Sequence, residues 1–153
     1  MLNFAIRRAV MSDLNVVAEL FDQYRQFYGQ PGNMAMAKVF MSVRLKQGDS
    51  VVFVADALID GAQHIVGFLQ LIPSFSSIAA RPIWILNDAF VRSEWRGEGV
   101  GRALLGHAQK FAQQSGVKRL VLETSEGNTL AQKLYQEMGF KRVQDMVQYA
   151  YDF

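Results

Sequence analysis

Residues 96–102 read Arg-Gly-Glu-Gly-Val-Gly-Arg and lie where an apolar run, 83–91, gives way to helical periodicity. The first amides of a helix have no partner in their own ladder, and the helix dipole adds positive partial charge there. Glycines remove the Cβ atoms that would hold an anion away. Gly97, Gly99 and Gly101 therefore suit phosphate oxygens, with Glu98 and Val100 supplying backbone amides and Arg96 and Arg102 supplying charge. A Walker loop needs Gly-Lys-Ser/Thr at its end, which is missing. A dinucleotide fingerprint needs G-x-G-x-x-G, and counted from Gly99 the third glycine is replaced by Leu104. A tight strand-to-helix turn with no ligand is the other reading of these glycines.

Asn128, Ala131 and Tyr135 follow at helical spacing and share one face, ahead of Gly139-Phe140, while Leu130, Leu134 and Met138 share another and are expected in the core. An amide, a methyl and a phenol make a poor core surface but a good groove: close approach at Ala131, hydrogen bonds at Asn128 and Tyr135. A half-buried tyrosine at a helix edge is the plainer alternative, and pairing with the glycine-rich turn favours a ligand.

The elements that must position these groups are legible as changes of period. A first strand is expected over 4–8, then a helix capped by Ser12 with Leu14, Val17, Leu20, Phe21, Tyr24 and Tyr28 on one stripe. A second helix is expected over 33–46, with Gly48 beyond its end. Strands over 51–55 and 65–72 flank Asp60-Gly61 as a hairpin, and 73–82 reads as a Ser- and Ala-rich loop carrying Phe75. A strand over 83–91, a helix to about 115, a short strand over 120–122, a helix over 128–138 and a closing strand over 141–149 complete the order. This is an α/β (α+β) fold: a mixed, mostly antiparallel central sheet with helices on both faces, in one domain spanning 1–153.

Composition narrows the class. The 153 residues are half apolar and a fifth charged, and the eleven Phe, five Tyr and two Trp are ample for a core. Mean hydropathy is +0.05, and no apolar run of about 18 residues is present, so no membrane partner is expected. The start of the chain lacks the order of a secretory signal. The lack of cysteine excludes disulfides, thiolate metal sites and a thiol nucleophile, and points to the cytoplasm. Net charge is only +2 with no clustered Lys/Arg, so no nucleic-acid partner is expected. His64 and His107 carry no metal-ligand spacing, and no metal is expected. Met34, Met36 and Met41 read as flexible packing at a dimer contact.

Together the motifs resemble the GNAT superfamily of N-acetyltransferases. The pattern R/Q-x-x-G-x-G/A is met by Arg96, Gly99 and Gly101; an Asn, a Tyr seven residues on and a Gly-Phe are met by Asn128, Tyr135, Gly139 and Phe140. The strand ending Leu86-Asn87-Asp88-Ala89-Phe90-Val91 resembles the family's central strand, which splays from its neighbour. Residues 21–30 and 70–77 also look like a subgroup related to a yeast histone and polyamine acetyltransferase. The resemblance implies transfer of an acetyl group from acetyl-CoA to a primary amine on a small molecule, polyamine, amino acid or protein lysine, in a homodimer. It implies that the pyrophosphate sits on the amides of residues 97–102. The pantetheine would pair with the backbone of Ala89, Phe90 and Val91 and touch Asn128, and Tyr135 would lie beside the sulfur.

An amine with a pKa of about 10 is protonated at neutral pH and must lose a proton before attacking the thioester. Tyr135 is the expected general acid for the departing thiolate. Without cysteine, direct attack in a ternary complex is favoured over a covalent carrier. Asp88 is the carboxylate within the central strand, and period-two alternation sets it on the face opposite Asn87. Asp88 acting as base, Asp88 satisfied structurally, Glu123 as base, and proton loss through water all remain open. Tyr24, Tyr28, Phe75 and Trp84 are expected to form an aromatic wall for the acceptor, with Asn87 beside it. A CoA-sensing or protein-binding module without chemistry is the competing function.

Overall fold

The computed structural model describes all residues, 1–153. The chain divides into two compact units, Met1–Glu123 and Thr124–Phe153. The first holds a five-stranded sheet in the order β1-β2-β3-β4-β5, made of β1 (Asn3–Arg8), β2 (Val51–Ile59), β3 (Ala62–Ser76), β4 (Arg81–Val91) and β5 (Leu120–Leu122). The pairings are antiparallel except the last, where Trp84–Leu86 run parallel to β5. Helices α1 (Leu14–Phe27) and α2 (Met34–Gln47) precede β2, and α3 (Val100–Gln114) links β4 to β5. No helix is long and apolar enough to cross a membrane.

Alternation along β2 sets the two layers. Val52 and Val54 join Val17, Leu20, Phe21, Met41 and Phe68 in a core under α1 and α2. Phe53, between them, meets His107 and Phe111 of α3 at ring-centroid distances of 4.5 and 5.4 Å. Helices therefore cover both faces, as the apolar periods require. At the β2–β3 hairpin Asp60 and Gly61 both have positive φ, 49° and 79°, the conformation of a two-residue type I′ turn.

Four expectations for this unit are corrected, two of them here. Ser12 caps nothing: neither α1 nor the short 3-10 turn before it has a side-chain cap, and the Asp13 carboxylate accepts the Val10 N–H at 2.8 Å instead. Asp13 is held there by Arg7, which also bonds Asp56. The segment 73–82 is not a loop. Pro73 pairs with Trp84 and Pro82 with Phe75, so only residues 77–80 turn. Pro73 is tolerated because β2 ends its pairing at Leu71, leaving β3 an edge there. Pro82 sits at the start of β4, where its carbonyl still accepts the Lys118 N–H at 2.9 Å. The other two, at Asn87 and in the aromatic wall, belong to the site.

Arg7 keeps the Asp13 carboxyl below the ordinary carboxylate range through its hydrogen bonds, which outweigh the cost of partial burial. We expect Arg7→Ala to cost about 1–2 kcal/mol, since Arg7 is partly exposed and its loss strands two carboxylates. A depressed native pKa stabilises only where the carboxylate is ionised. In pH-dependent melts the gap between wild type and variant should therefore close as pH falls from about 3.8 through the lowered native value.

The second unit contains α4 (Thr129–Glu137). Asn128 is its N-cap, accepting the Ala131 N–H at 3.4 Å, and Gly139, at φ 91°, ends it as its position suggests. Leu130 is not core but 82% exposed, and α4 buries no residue fully. The closing strand over 141–149 does not form. β-propensity reports packing on neighbouring strands, and Thr124–Phe153 contains no other strand to supply a ladder.

Candidate active site

β4 changes character at Asn87. Gln70 faces Asp88 and Leu71 faces Leu86, so Asn87 is an extra residue, a β-bulge. Strict alternation would put Leu86 and Asp88 on one face. The inserted residue sends Leu86 to the α3 layer with its partner Leu71 and turns Asp88 toward the α1 layer with Gln70. What the bulge corrects is the count by twos from Leu86 to Asp88; Asn87 itself is exposed, and its carbonyl accepts a hydrogen bond from the Tyr24 hydroxyl at 3.2 Å. Pairing with β5 also stops at Leu86, so residues 87–91, Ala89, Phe90 and Val91 among them, have no strand on that side.

Asp88 is 4% exposed. Gln70 Nε2 donates to its Oδ2, Gln70 Oε1 accepts from Ser50 Oγ at 2.8 Å, and the Tyr24 hydroxyl also bonds the carboxylate. Burial pushes the Asp88 carboxyl above its ordinary value, and the bonds from Gln70 and Tyr24 pull it only part of the way back. A buried strand carboxylate with a raised pKa is a more basic group than a solvated one. Sequence reasoning missed Gln70 and Ser50, because nothing local marks a polar residue 18 positions away as the partner of Asp88.

At the end of β4, Gly97 and Gly99 have φ of 81° and 83°, and a Cβ at either would meet nothing within 4 Å. Gly99 caps α3 without a side chain, and the first bond of the helical ladder is Ala103 N–H to the Gly99 carbonyl. The amides of Val100, Gly101 and Arg102 precede that bond. Arg96 is committed locally as well: Nε donates to the Val91 carbonyl at 2.9 Å, and the guanidinium lies 5.2 Å from the Phe90 ring centre and 5.7 Å from that of Phe27. Glu98 accepts the Leu2 N–H at 3.5 Å.

The expected aromatic wall is only half assembled. Tyr24 and Tyr28 meet at 5.1 Å, and Tyr24 lies 6.2 Å from Phe68. Trp84 lies instead in the α3 layer, 5.5 Å from Phe111 with Nε1 donating to Ser115 Oγ. Phe75 is 78% exposed near the β3–β4 turn and has the parity of Leu71, away from Tyr24. Register, which residue type does not reveal, decides both. Phe27, unanticipated, extends the Tyr24–Tyr28 group, 5.3 Å from Tyr28. In the second unit, Tyr135 packs edge-on to Phe140 at 6.0 Å, and Asn128 turns its acceptor into its own helix.

The sheet thus parts midway along its fourth strand, beside a helix opened by glycines. Residues 17–140 match the model of the acetyltransferase (GNAT) family, and the chain belongs to that family. An uncharacterized N-acetyltransferase, YhfO, of Bacillus subtilis is 40% identical over 144 residues, 94% of each chain. A probable acetyltransferase of Haemophilus influenzae is 29% identical over 134 residues, 88% of each chain. The crystal structure of a probable acetyltransferase superposes with a TM-score of 0.88 at 36% identity over 97% of both chains. The protein is an N-acetyltransferase, and acetyl-CoA is its acetyl donor.

Proposed function

We propose that the enzyme acetylates a primary amine by direct attack in a ternary complex, with Asp88 taking the amine proton. The observation that carries this reading is the buried carboxyl of Asp88, raised above its ordinary value beside the unpaired stretch of β4. Bound acetyl-CoA would supply an activated acetyl carbon. The amides of residues 97–102 would hold its diphosphate, since the glycines leave the backbone open and α3 begins uncapped. Ala89, Phe90 and Val91 would receive the pantetheine along the strand edge that β5 leaves open. Asn128 and Ala131 are assigned to the cofactor, and Tyr135 to giving a proton to the departing sulfur, from the motif they match. These three assignments rest on spacing within their own segment.

Asp88 acts by accepting a proton, and burial keeps its carboxylate basic enough to do so. Asn87, Tyr24 and Tyr28 would meet the acceptor, the two tyrosines offering ring faces to a cationic or aliphatic amine before it loses its proton. We include in this reading a single domain over 1–153, because the family match runs from 17 to 140, and a cytoplasmic homodimer, which sedimentation equilibrium checks.

Release of free thiol, followed over polyamines, amino acids, amino sugars and a lysine peptide, tests the reaction. Amine-dependent, saturable release supports it. Saturable acetyl-CoA binding without release on any acceptor would leave a CoA-sensing module. For the cradle, Gly99→Val places a β-branched residue at φ 83°, which strains the loop. We expect acetyl-CoA affinity to fall at least about tenfold by calorimetry.

A further inference from the structure

We propose that Gln70 is a positioning residue for the reaction, its side-chain amide, anchored by Ser50, holding the Asp88 carboxylate in the orientation that accepts the amine proton. The inference rests on the reading of Asp88 as proton acceptor and adds the group that makes that role workable.

Gln70 is fully buried on a strand whose neighbours Phe68, Leu69 and Leu71 are fully buried and apolar. A glutamine among them costs free energy unless both ends of its amide are bonded. Both are: Nε2 donates to Asp88 Oδ2, and Oε1 accepts from Ser50 Oγ at 2.8 Å. The direction of this chain is set by charge. An ionised carboxylate only accepts, so the amide must turn its NH2 toward Asp88, which leaves Oε1 in need of a donor on the other side. Ser50, itself buried at the start of β2, supplies it. The bulge at Asn87 completes the arrangement, since without the extra residue Asp88 would not lie opposite Gln70.

The groups on Asp88 are neutral: Gln70 from β3 and the Tyr24 hydroxyl from α1, with Ser50 behind Gln70. Charged residues on the surrounding elements are engaged elsewhere, Asp22 with Asn33 and Gln26, Arg44 with Asp49, and Arg92 with Glu19, while Arg25 of α1 keeps its Nη1 buried without a hydrogen-bond partner. A hydrogen bond to the ionised form favours that form, so the Gln70 amide both orients Asp88 and holds its pKa down against burial.

The test is the pH dependence of kcat/KM in the full chain, with Asp88→Asn identifying the acidic limb that belongs to Asp88. Gln70→Met keeps length and volume but removes the donor. The expected result is a shift of that limb to higher pH by about one unit, with kcat/KM down about tenfold at pH values below the limb and recovering above it. KM for the amine should stay nearly constant. Ser50→Ala should move the limb the same way by less, and serves if Gln70→Met does not fold. A carbon-13 titration of the aspartate carboxyls, assigned with Asp88→Asn, reads the same shift without turnover. A folded Gln70→Met, or a folded Ser50→Ala where the former fails, with limb and titration unmoved makes Gln70 a packing residue and overturns the proposal while leaving Asp88 in place. Persistence of the wild-type limb in Asp88→Asn removes the base itself, and the proposal with it.

Discussion

Asp88→Asn is expected to lower kcat/KM at neutral pH by about 10²–10³-fold and, in the same protein, to raise the melting temperature. The two effects have one origin. A carboxylate kept out of water has a raised pKa, which makes it a better proton acceptor and a worse structural residue. Below about pH 3.8 the group is protonated in both the unfolded and the folded chain and contributes nothing. As pH rises the unfolded chain releases its proton first, so the folded state is progressively disfavoured until its own, higher pKa is passed, and the penalty is constant beyond. Asparagine never ionises. Its stability gain should therefore be absent in acid, grow above about pH 3.8 and level off once the raised folded-state pKa is passed. Gln70 can reverse its amide to suit asparagine, because the Ser50 hydroxyl both donates and accepts.

Melting curves between pH 3 and 8 alongside thiol release separate this from the structural reading of Asp88. If Asp88 were there to satisfy neighbouring groups, Asn would cost stability at neutral pH and leave the rate nearly intact. A loss of stability with unchanged turnover would end the assignment of Asp88 as base.

What could be read beforehand follows a physical line. Gly97, Gly99, Asp60-Gly61 and Gly139 were legible because a left-handed backbone restricts residue type, so type announces geometry. The stripe Val17, Leu20 and Phe21 was legible because burial of one helix face imposes a period. Asn87 was not, since an inserted residue in a strand has no composition of its own and counting by twos passes over it. With the bulge hidden, so was the meeting of Asp88 with Gln70, and Ser50 behind it. Trp84 and Phe75 were grouped with Tyr24 as aromatics, but strand register sorts side chains between layers regardless of type. Pro73 and Pro82 signalled a loop because proline breaks ladders, and only the end of β2 pairing at Leu71 and the place of Pro82 at the start of β4 show that no ladder is broken.

Tyr135→Phe is the second large expected effect: a fall in kcat of about 10²-fold or more with acetyl-CoA affinity unchanged. The substitution removes one oxygen and keeps the ring. The edge-on contact with Phe140 at 6.0 Å, and the half-buried place of the residue on α4, should survive it. The argument for so large an effect lies in the leaving group. A thiolate expelled without a proton carries full charge, and a hydroxyl that donates as charge develops contributes only in the transition state. Loss of such a contact lowers kcat and kcat/KM together and spares the dissociation constant, which calorimetry with acetyl-CoA reads directly. A parallel loss of affinity and rate would mean that the phenol holds the cofactor rather than serving the sulfur. Unchanged turnover would leave the proton to water and return Tyr135 to its packing on Phe140. Combined with Asp88→Asn, the two losses should multiply if one group serves the amine and the other the sulfur in successive proton transfers, and fall short of multiplying if both serve a single step.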